Sequence, residues 1–368
     1  MASQPHILVD LTHPAHVNCF KHVVRELDRR GFRVTVTTLN RGRLPAIIRR
    51  EIPETPCVVI GTQGVTRAGI YLRTGVLRTL KLGWHILRNN VSLALGAVAY
   101  QGGLWCRMLG RPSLGIYDDP GHRINYSMSC RLLSRFLVPT CLGDAEGNRV
   151  PFQGLKEWAY LSPARFVPDE SAVTRLGLRP YEYEFVREVD ARTLNYMGQT
   201  VSSIEALYNL GLRDSRVVLS LENKSRKSLF PNWSILDEPV EDIHSLMHFS
   251  RTVISNGDSM AREGAMLGRP AVYAGIREMP ANRFLLDQEL LAHQVDPTAC
   301  LEWIRQSSRT PAAQAELRSR LLAEWDDVVG LLTRHVDELL GREPVPQRTS
   351  AISVQTSSQS PVPSDAVA

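Results

Sequence analysis

Thr252-Val253-Ile254 runs straight into Ser255-Asn256-Gly257-Asp258-Ser259-Met260-Ala261-Arg262-Glu263 and on to Gly264-Ala265-Met266-Leu267-Gly268-Arg269-Pro270. The order is strand, tight polar turn, helix. Gly268-Arg269-Pro270 stops the helix and Ala271-Val272-Tyr273-Ala274 begins another strand, so the stretch is a unit of an α/β fold. A Gly-containing turn that opens a helix presents backbone N–H groups and the positive end of the helix dipole, and both favour phosphate oxygens. Gly257, Asp258, Ser259 and Met260 form that turn. Glu263 lies about one and a half helical turns beyond Gly257, within reach of the hydroxyls of a ribose attached to those phosphates. The unit suits a nucleoside diphosphate better than a bare phosphate, although turns of this kind occur throughout α/β folds.

The chain has 368 residues, enough for two ordinary domains with a large core. Its 43% hydrophobic and 22% charged content are those of a globular protein. No apolar run reaches the roughly 18 to 20 residues of a membrane-spanning helix. Met1-Ala2-Ser3-Gln4-Pro5-His6 lacks the basic-then-apolar pattern of a secretory signal, so a cytoplasmic protein is expected. Cys19, Cys57, Cys106, Cys130, Cys141 and Cys300 are scattered without a close pair, which fits reduced thiols and argues against a zinc site or a disulfide framework. The net charge of +5 is modest, and no nucleic-acid partner is expected. Basic residues are dense over 25–50 and again over 67–88. A solvated basic face is the plain reading; attraction to anionic ligands or an anionic membrane surface is the other.

Upstream, His6-Ile7-Leu8-Val9-Asp10-Leu11 is a short apolar strand, and Thr12-His13-Pro14-Ala15-His16 is the turn after it. Val17, Phe20, Val23, Val24 and Leu27 then recur at helical spacing until Gly31. Val34-Thr35-Val36-Thr37-Thr38 is the next strand, completing a right-handed parallel βαβ unit. Cys57-Val58-Val59-Ile60 adds a strand, and residues 92–99, 113–117 and 136–139 continue the alternation. Residues 72–88 form an amphipathic helix, with Arg73, Arg78, Lys81 and Arg88 opposite Leu72, Val76, Leu77, Leu80 and Trp84. Pro163, Pro168 and Pro180 mark a boundary. A second half restarts with strands at 183–189, 216–220 and 251–255 and helices at 201–210 and 240–249, the last opening on Glu241 and Asp242. Residues 313–340 read as one long amphipathic helix with Leu317, Leu321, Trp325, Val328, Leu332 and Leu339 on its apolar side. Residues 342–368 lose all periodicity and are expected to form a disordered tail. Two doubly wound α/β halves, 1–168 and 169–341, facing each other across a cleft are the expected architecture, with ligands at the carboxyl ends of the strands.

His13 and His16 sit in the turn after the first strand, opposite the phosphate turn of the second half. Histidine titrates near neutral pH, so either could activate an acceptor hydroxyl; His16 is the better placed because it begins the helix. A Pro-containing turn in which one His caps the helix is the alternative. Tyr117-Asp118-Asp119-Pro120-Gly121-His122-Arg123 follows another strand of that half. Asp118 and Asp119 could polarise His16 or bind a sugar hydroxyl and Arg123 could meet a phosphate, while Asp119-Pro120-Gly121 is equally a plain turn. His244 and His248 lie four residues apart without a third ligand in view, and no Asp-x-Asp follows a strand, so no metal is expected.

The chain up to about residue 340 resembles an uncharacterised prokaryotic family of glycosyltransferase-B-like proteins. Three separated stretches carry the resemblance: Asp10-Leu11-Thr12-His13-Pro14-Ala15-His16-Val17-Asn18, Gly154-Leu155-Lys156-Glu157-Trp158-Ala159-Tyr160-Leu161, and the segment Gly257 to Gly268. More distantly, the phosphate turn is similar to that of the lipid-linked N-acetylglucosaminyltransferase of peptidoglycan synthesis. The resemblance implies two Rossmann-like domains, an acceptor domain at 1–168 and a nucleotide-sugar domain at 169–341. It implies that Glu263 holds the ribose of a UDP-sugar, that Ser259 and Met260 supply phosphate-binding N–H groups, and that backbone around Val240 holds the uracil. Arg187, at the end of a strand, is a candidate for the diphosphate. The relatives have an Ala-Ser-His-Asp-like loop where this chain has Asp190-Ala191-Arg192-Thr193-Leu194.

The expected reaction moves a sugar from a nucleotide diphosphate, UDP on the resemblance, to a hydroxyl acceptor. Helix dipole, N–H groups and an arginine can stabilise the leaving diphosphate without metal, so no cofactor beyond the nucleotide sugar is expected. Gly275-Ile276-Arg277-Glu278-Met279-Pro280 is similar to a region of the UDP-N-acetylglucosamine 2-epimerases, in which Asp118 and Asp119 would serve as acid and base. A binding protein without chemistry is the third alternative. The basic stretch 67–88, with Trp84 at its middle, either packs on the sheet as an ordinary helix or rests on a membrane as a peripheral contact.

Overall fold

Every residue of His6–Leu11 (β1) is buried, as expected of a central strand covered on both faces. In the computed structural model, which describes residues 4–64, 66–143, 145–190, 203–237, 240 and 242–343, β1 lies inside a seven-stranded parallel sheet, third in its order. The sheet comprises β2 (Arg33–Asn40), β3 (Cys57–Thr62), β4 (Leu93–Gly96), β5 (Ser113–Ile116), β6 (Arg135–Pro139) and β7 (Arg149–Phe152), in the order β3-β2-β1-β4-β5-β6-β7. A second parallel sheet contains β8 (Glu184–Glu188), β9 (Val217–Leu221), β10 (Ser234–Ile235), β11 (Thr252–Ser255), β12 (Ala271–Tyr273) and β13 (Ala292–His293), in the order β10-β9-β8-β11-β12-β13. The chain direction of growth reverses between β1 and β4 in one sheet and between β8 and β11 in the other. Crevices for ligands form at such switch points, outside the carboxyl ends of the strands. The turn carrying His13 and His16 follows β1, and the Gly257 turn follows β11, so each of the two expected turns stands at a switch point.

Local chemistry explains these turns. His13 is the N-cap of helix Pro14–Arg29: its Nδ1 accepts from the Ala15 N–H at 3.2 Å, and Pro14 occupies the first helical position, where a missing N–H costs nothing. Helix Asp258–Met266 lies close on β11 because Gly264 leaves no side chain there; a Cβ would stand 2.6 Å from that of Val253.

Three expected elements differ. The stretch 313–340 is two helices, Pro311–Glu324 and Val328–Leu339, broken where Trp325 turns in against Trp158 and under Gly154. Asp326 there accepts from the Gln153 N–H at 2.7 Å and Asp327 caps the second helix. That last helix packs on Pro14–Arg29, with Arg30 bonded to Asp337 at 2.7 Å, so the chain past residue 327 returns to the first half. In the second departure, residues 70–88 are helical, a wide π-type stretch Ile70–Leu77 leading into Arg78–Arg88, but the expected division into a basic and an apolar side does not hold. Leu72, Val76, Leu77, Leu80 and Trp84 are exposed, whereas Arg78, Leu82, Gly83 and Ile86 are buried. Arg78 goes inward because Asp10 receives it at 2.5 Å while Ile60 O accepts from its Nε and Gln101 from its Nη1; Gly83 lets Trp105 lie against the helix. Helix 240–249 is shorter than expected, Ile243–His248, and Asp242 caps it through the Ser245 N–H. Glu241, most of the loop after Asp190 and the tail from 344 lie outside the described residues.

Candidate functional site

The two halves meet through one buried polar cluster, and its centre is the stretch Lys156-Glu157 rather than any residue expected from sequence to be catalytic. Lys156 Nζ donates to Asp118 Oδ2 and, at 3.1 Å, to Glu157 Oε1. Glu157 in turn accepts from Arg262 of the phosphate-turn helix, at 2.7 Å from Nη2 and 3.2 Å from Nε. Arg262 Nη2 is also 3.6 Å from Asp118, and its Nη1 donates to Asn282 at 3.0 Å. Burial alone would lower the Lys156 ammonium, but Asp118 and Glu157 hold its pKa above the usual lysine value. Burial alone would raise the Glu157 carboxyl; Arg262 and Lys156 overcome it and pull it down to about 2. For Glu157 and Lys156 the opposite charges around them thus outweigh the burial that opposes their ionised forms.

A second bridge lies beside the first. Arg277 donates to Asp119 of the first half at 2.6 Å and to Asp258 of the phosphate turn at 2.8 Å. Asp119 also accepts from the Gly121 N–H at 3.0 Å, the Asx turn that the alternative reading of Asp119-Pro120-Gly121 describes. Farther along the same helix, Glu263 accepts from the Tyr160 hydroxyl at 2.5 Å and lies 3.5 Å from His244 Nε2. Burial first, and the Glu263 charge second, push the Tyr160 phenol well above its ordinary value, so it remains the donor.

The histidine turn completes the cleft. Burial pushes His16 well below 6.5 and His13 down to about 4, with Lys156 and Arg41 adding repulsion to each. Both rings are neutral at pH 7. His13 Nδ1 accepts from Ala15, and His16 Nδ1 lies 3.4 Å from the Thr12 N–H. With Nδ1 facing a donor, the proton of each neutral ring is on Nε2. Each imidazole is thereby set to donate, and the cap foreseen as the alternative reading is the one His13 makes.

The phosphate turn itself has Gly257 as N-cap in an extended conformation, its N–H bonded to Ser255 Oγ at 3.0 Å. The N–H groups of Ser259 and Met260 fall in the first turn, where a helix offers them no internal acceptor. Ser259 Oγ lies 3.3 Å from Asp258 Oδ1. Arg187 extends toward β9, to Ser220 at 2.9 Å and Glu222 at 3.5 Å. Val240 is half-buried against the main core, and Arg123 is exposed. His248 accepts from Gln314 at 3.1 Å, away from Glu263, and among the described residues no three His, Cys, Asp or Glu side chains cluster as a metal would need.

Lys156, Glu157, Tyr160, Arg262 and Arg277 thus tie the expected residues together. Lys156, Glu157 and Tyr160 fall inside the stretch Gly154 to Leu161, Arg262 inside Gly257 to Gly268 and Arg277 inside Gly275 to Pro280, but none has a strand-end position to mark it.

Residues 204–340 match the family described as Protein of unknown function (DUF354). No curated protein is similar enough in sequence to count as a relative. In structure the chain is similar to MnaA of S. aureus, solved with UDP, at 11% identity over 92% of this chain and 97% of that one, with a TM-score of 0.65. It is similar to the kitacinnamycin glycotransferase at 16% identity over 90% and 99%, TM-score 0.61. The UDP-GlcNAc 2-epimerase of Neisseria meningitidis, bound to UDP-GlcNAc, matches at 12% identity over 91% and 99%, TM-score 0.58. Identities this low establish the fold. The chain therefore carries the sequence pattern of the DUF354 family in its second half, on the two-domain Rossmann-like architecture shared by glycosyltransferases of the B type and UDP-N-acetylglucosamine 2-epimerases.

Proposed function

We propose that the chain transfers a sugar from a nucleotide diphosphate, UDP by preference, to a hydroxyl acceptor. The observation that carries this reading is the convergence of the loop after β5 and the phosphate turn after β11 on one cluster, through Asp119–Arg277–Asp258 and Asp118–Lys156–Glu157–Arg262. The diphosphate lies at the N-terminus of helix Asp258–Met266, the ribose near Glu263 and the uracil near Val240. Arg277 moves from carboxylate to phosphate as the ligand enters. As the glycosidic bond breaks, charge grows on the diphosphate, and the N–H groups of Ser259 and Met260 meet it. His13 and His16, neutral with Nε2–H outward, donate to the same developing charge or to the sugar. The proton of the acceptor hydroxyl passes to a carboxylate at the end of β5, Asp119 being the nearer to the phosphate turn through Arg277. Structures with UDP and UDP-GlcNAc on this fold support a uridine donor.

Thermal shift against nucleotides and nucleotide sugars tests the site. A ligand at 100 times its dissociation constant stabilises the fold by about 2.7 kcal/mol. A shift with UDP or a UDP-sugar that Glu263→Ala abolishes is expected; no shift with any nucleotide refutes the reading. His16→Gln tests the division of labour, since glutamine keeps an N–H donor near the Nε2 position but takes no proton. Turnover within about tenfold of wild type supports donation, whereas a loss of about 10²–10⁴ returns the base role to His16.

A second reading is favoured by the paired buried carboxylates Asp118 and Asp119: epimerisation of UDP-N-acetylglucosamine. An epimerase converts its nucleotide sugar with no acceptor present, so product from UDP-GlcNAc alone decides between the two. Binding without turnover under either condition leaves the third, a nucleotide-sugar-binding protein.

A further inference from the structure

The outer face of residues 70–88 is rich in apolar side chains, and none of the described residues covers it. Tyr71 is 75% exposed, Trp84 64%, and Leu72, Leu77, Leu80 and Leu87 are each about half exposed. Leu77, Leu80, Trp84 and Leu87 recur at helical spacing and form one stripe, while the opposite side of the helix, Arg78, Leu82 and Ile86, faces the sheet. A stripe of this length on one helix is the kind of patch that marks an interaction site rather than scattered surface residues.

Charge says what covers it. Between Glu54 and Asp118 the sequence contains no Asp or Glu, yet it contains Arg67, Arg73, Arg78, Lys81, Arg88, Arg107 and Arg111. Arg78 is buried, neutralised by Asp10 from β1. Arg73, Lys81 and Arg88 are exposed along the helix that carries the stripe. A second copy of the chain seated on this face would set these cations against their own copies with no carboxylate in the segment to pair them. A surface of anionic headgroups over acyl chains satisfies both features at once. Among the described residues no helix is long and apolar enough to cross a membrane, so the contact lies in the interfacial layer.

We propose that this face, Tyr71 to Leu87 with Arg73, Lys81 and Arg88, docks on an anionic lipid bilayer. The surface belongs to the first half and is independent of the nucleotide site, so it stands or falls separately from the reaction proposed above.

The test is co-sedimentation of the full chain with phosphatidylcholine vesicles and with vesicles of phosphatidylcholine mixed with phosphatidylglycerol. Wild type partitions onto the mixed vesicles, less onto neutral ones, and less again in high salt. Each exposed cation near such a surface strengthens binding roughly fivefold, so Arg73→Glu/Lys81→Glu lowers the partition coefficient by on the order of tenfold or more. Leu80→Ser/Trp84→Ser does the same by removing apolar contact. No binding of wild type to mixed vesicles, or equal binding by the variants, overturns the proposal. Sedimentation velocity showing a dimer that Leu80→Ser/Trp84→Ser dissolves also overturns it, in favour of a second copy. All four substituted side chains are exposed, so melting stays at the wild-type value; a marked drop would show the face to be packed within the chain and would equally refute the reading.

Discussion

Replacing Glu157 by glutamine keeps the shape of the side chain and removes one charge from the bridge between the halves. In the wild type Glu157 and Asp118 balance Lys156 and Arg262, and all four side chains are 12% exposed or less. Glu157→Gln leaves two cations against Asp118 alone and weakens three bonds, two from Arg262 and one from Lys156. Breaking a buried ion pair from one side costs about 3–5 kcal/mol because the partner charge stays behind uncompensated. At roughly 2 °C per kcal/mol for a chain of this size, the melting temperature falls by about 6–10 °C. Arg262→Met makes the opposite error, leaving two carboxylates against Lys156, and costs a similar amount. The double variant restores balance, Asp118 against Lys156, and loses less than the sum of the two. Thermal melts of the three variants at pH 7 provide the assay. A Glu157→Gln shift of only a degree or two, or a strictly additive cycle, refutes the claim that the cluster is an electrostatically closed unit holding the halves together.

Acid stability follows from the histidines. His13, held near 4, and His248, held near 3 by burial and then by Arg318 and Arg269, are neutral in the fold but take a proton near 6.5 when unfolded. Their contribution is complete above pH 6.5 and is lost as pH falls toward those folded values, because the unfolded state then binds more protons. Melting temperature therefore declines from pH 6.5 to 4, and His248→Gln removes up to about 1.4 kcal/mol per pH unit of that slope; an unchanged slope counts against the assignment. Gly264→Ala, which on propensity should help a helix by up to about 1 kcal/mol, instead costs about 1–3 kcal/mol because its methyl meets Val253 at 2.6 Å; urea midpoints decide the sign. Arg277→Gln lowers affinity for UDP by about tenfold or more, the value of a charge-assisted bond, when measured by calorimetry; unchanged affinity removes Arg277 from the donor site.

The strands were legible because a parallel sheet covered on both faces writes itself as apolar runs, as His6–Leu11 and Thr252–Ser255 do. β7, β10 and β13 were not, since short edge strands such as Ser234–Ile235 and Ala292–His293 carry no run to read. Helical periodicity located residues 70–88 but not the side they bury. Periodicity reports that apolar residues share a face, not that the face is covered, and Arg78 is drawn inward by the buried Asp10 of β1 together with Ile60 O and Gln101. The break at Trp325 was hidden for the same reason: its cause is Trp158 and Gly154, in the other half of the chain. At the site, residues at strand ends were found by position, whereas Glu157, Tyr160 and Arg262 matter through contacts 103 and 105 residues away in sequence.

The charge count bears on how a diphosphate would be held. Asp118, Asp119, Glu157 and Asp258 face Lys156, Arg262 and Arg277, so the cluster is not net positive and exerts no bulk attraction on an anion. Binding in the proposed reaction must then come from directional donors that bring no charge of their own. The first-turn amides of Asp258–Met266 are such donors, and so are the neutral His13 and His16 rings with their protons on Nε2. Fixed dipoles of this kind gain strength in a buried site and need no carboxylate to be displaced, except where Arg277 exchanges Asp119 or Asp258 for phosphate. That exchange frees one carboxylate in the cleft at the moment a phosphate arrives. In the proposed reaction that carboxylate, released next to the incoming sugar, takes the acceptor proton, because the unprotonated nitrogen of each imidazole already faces an N–H.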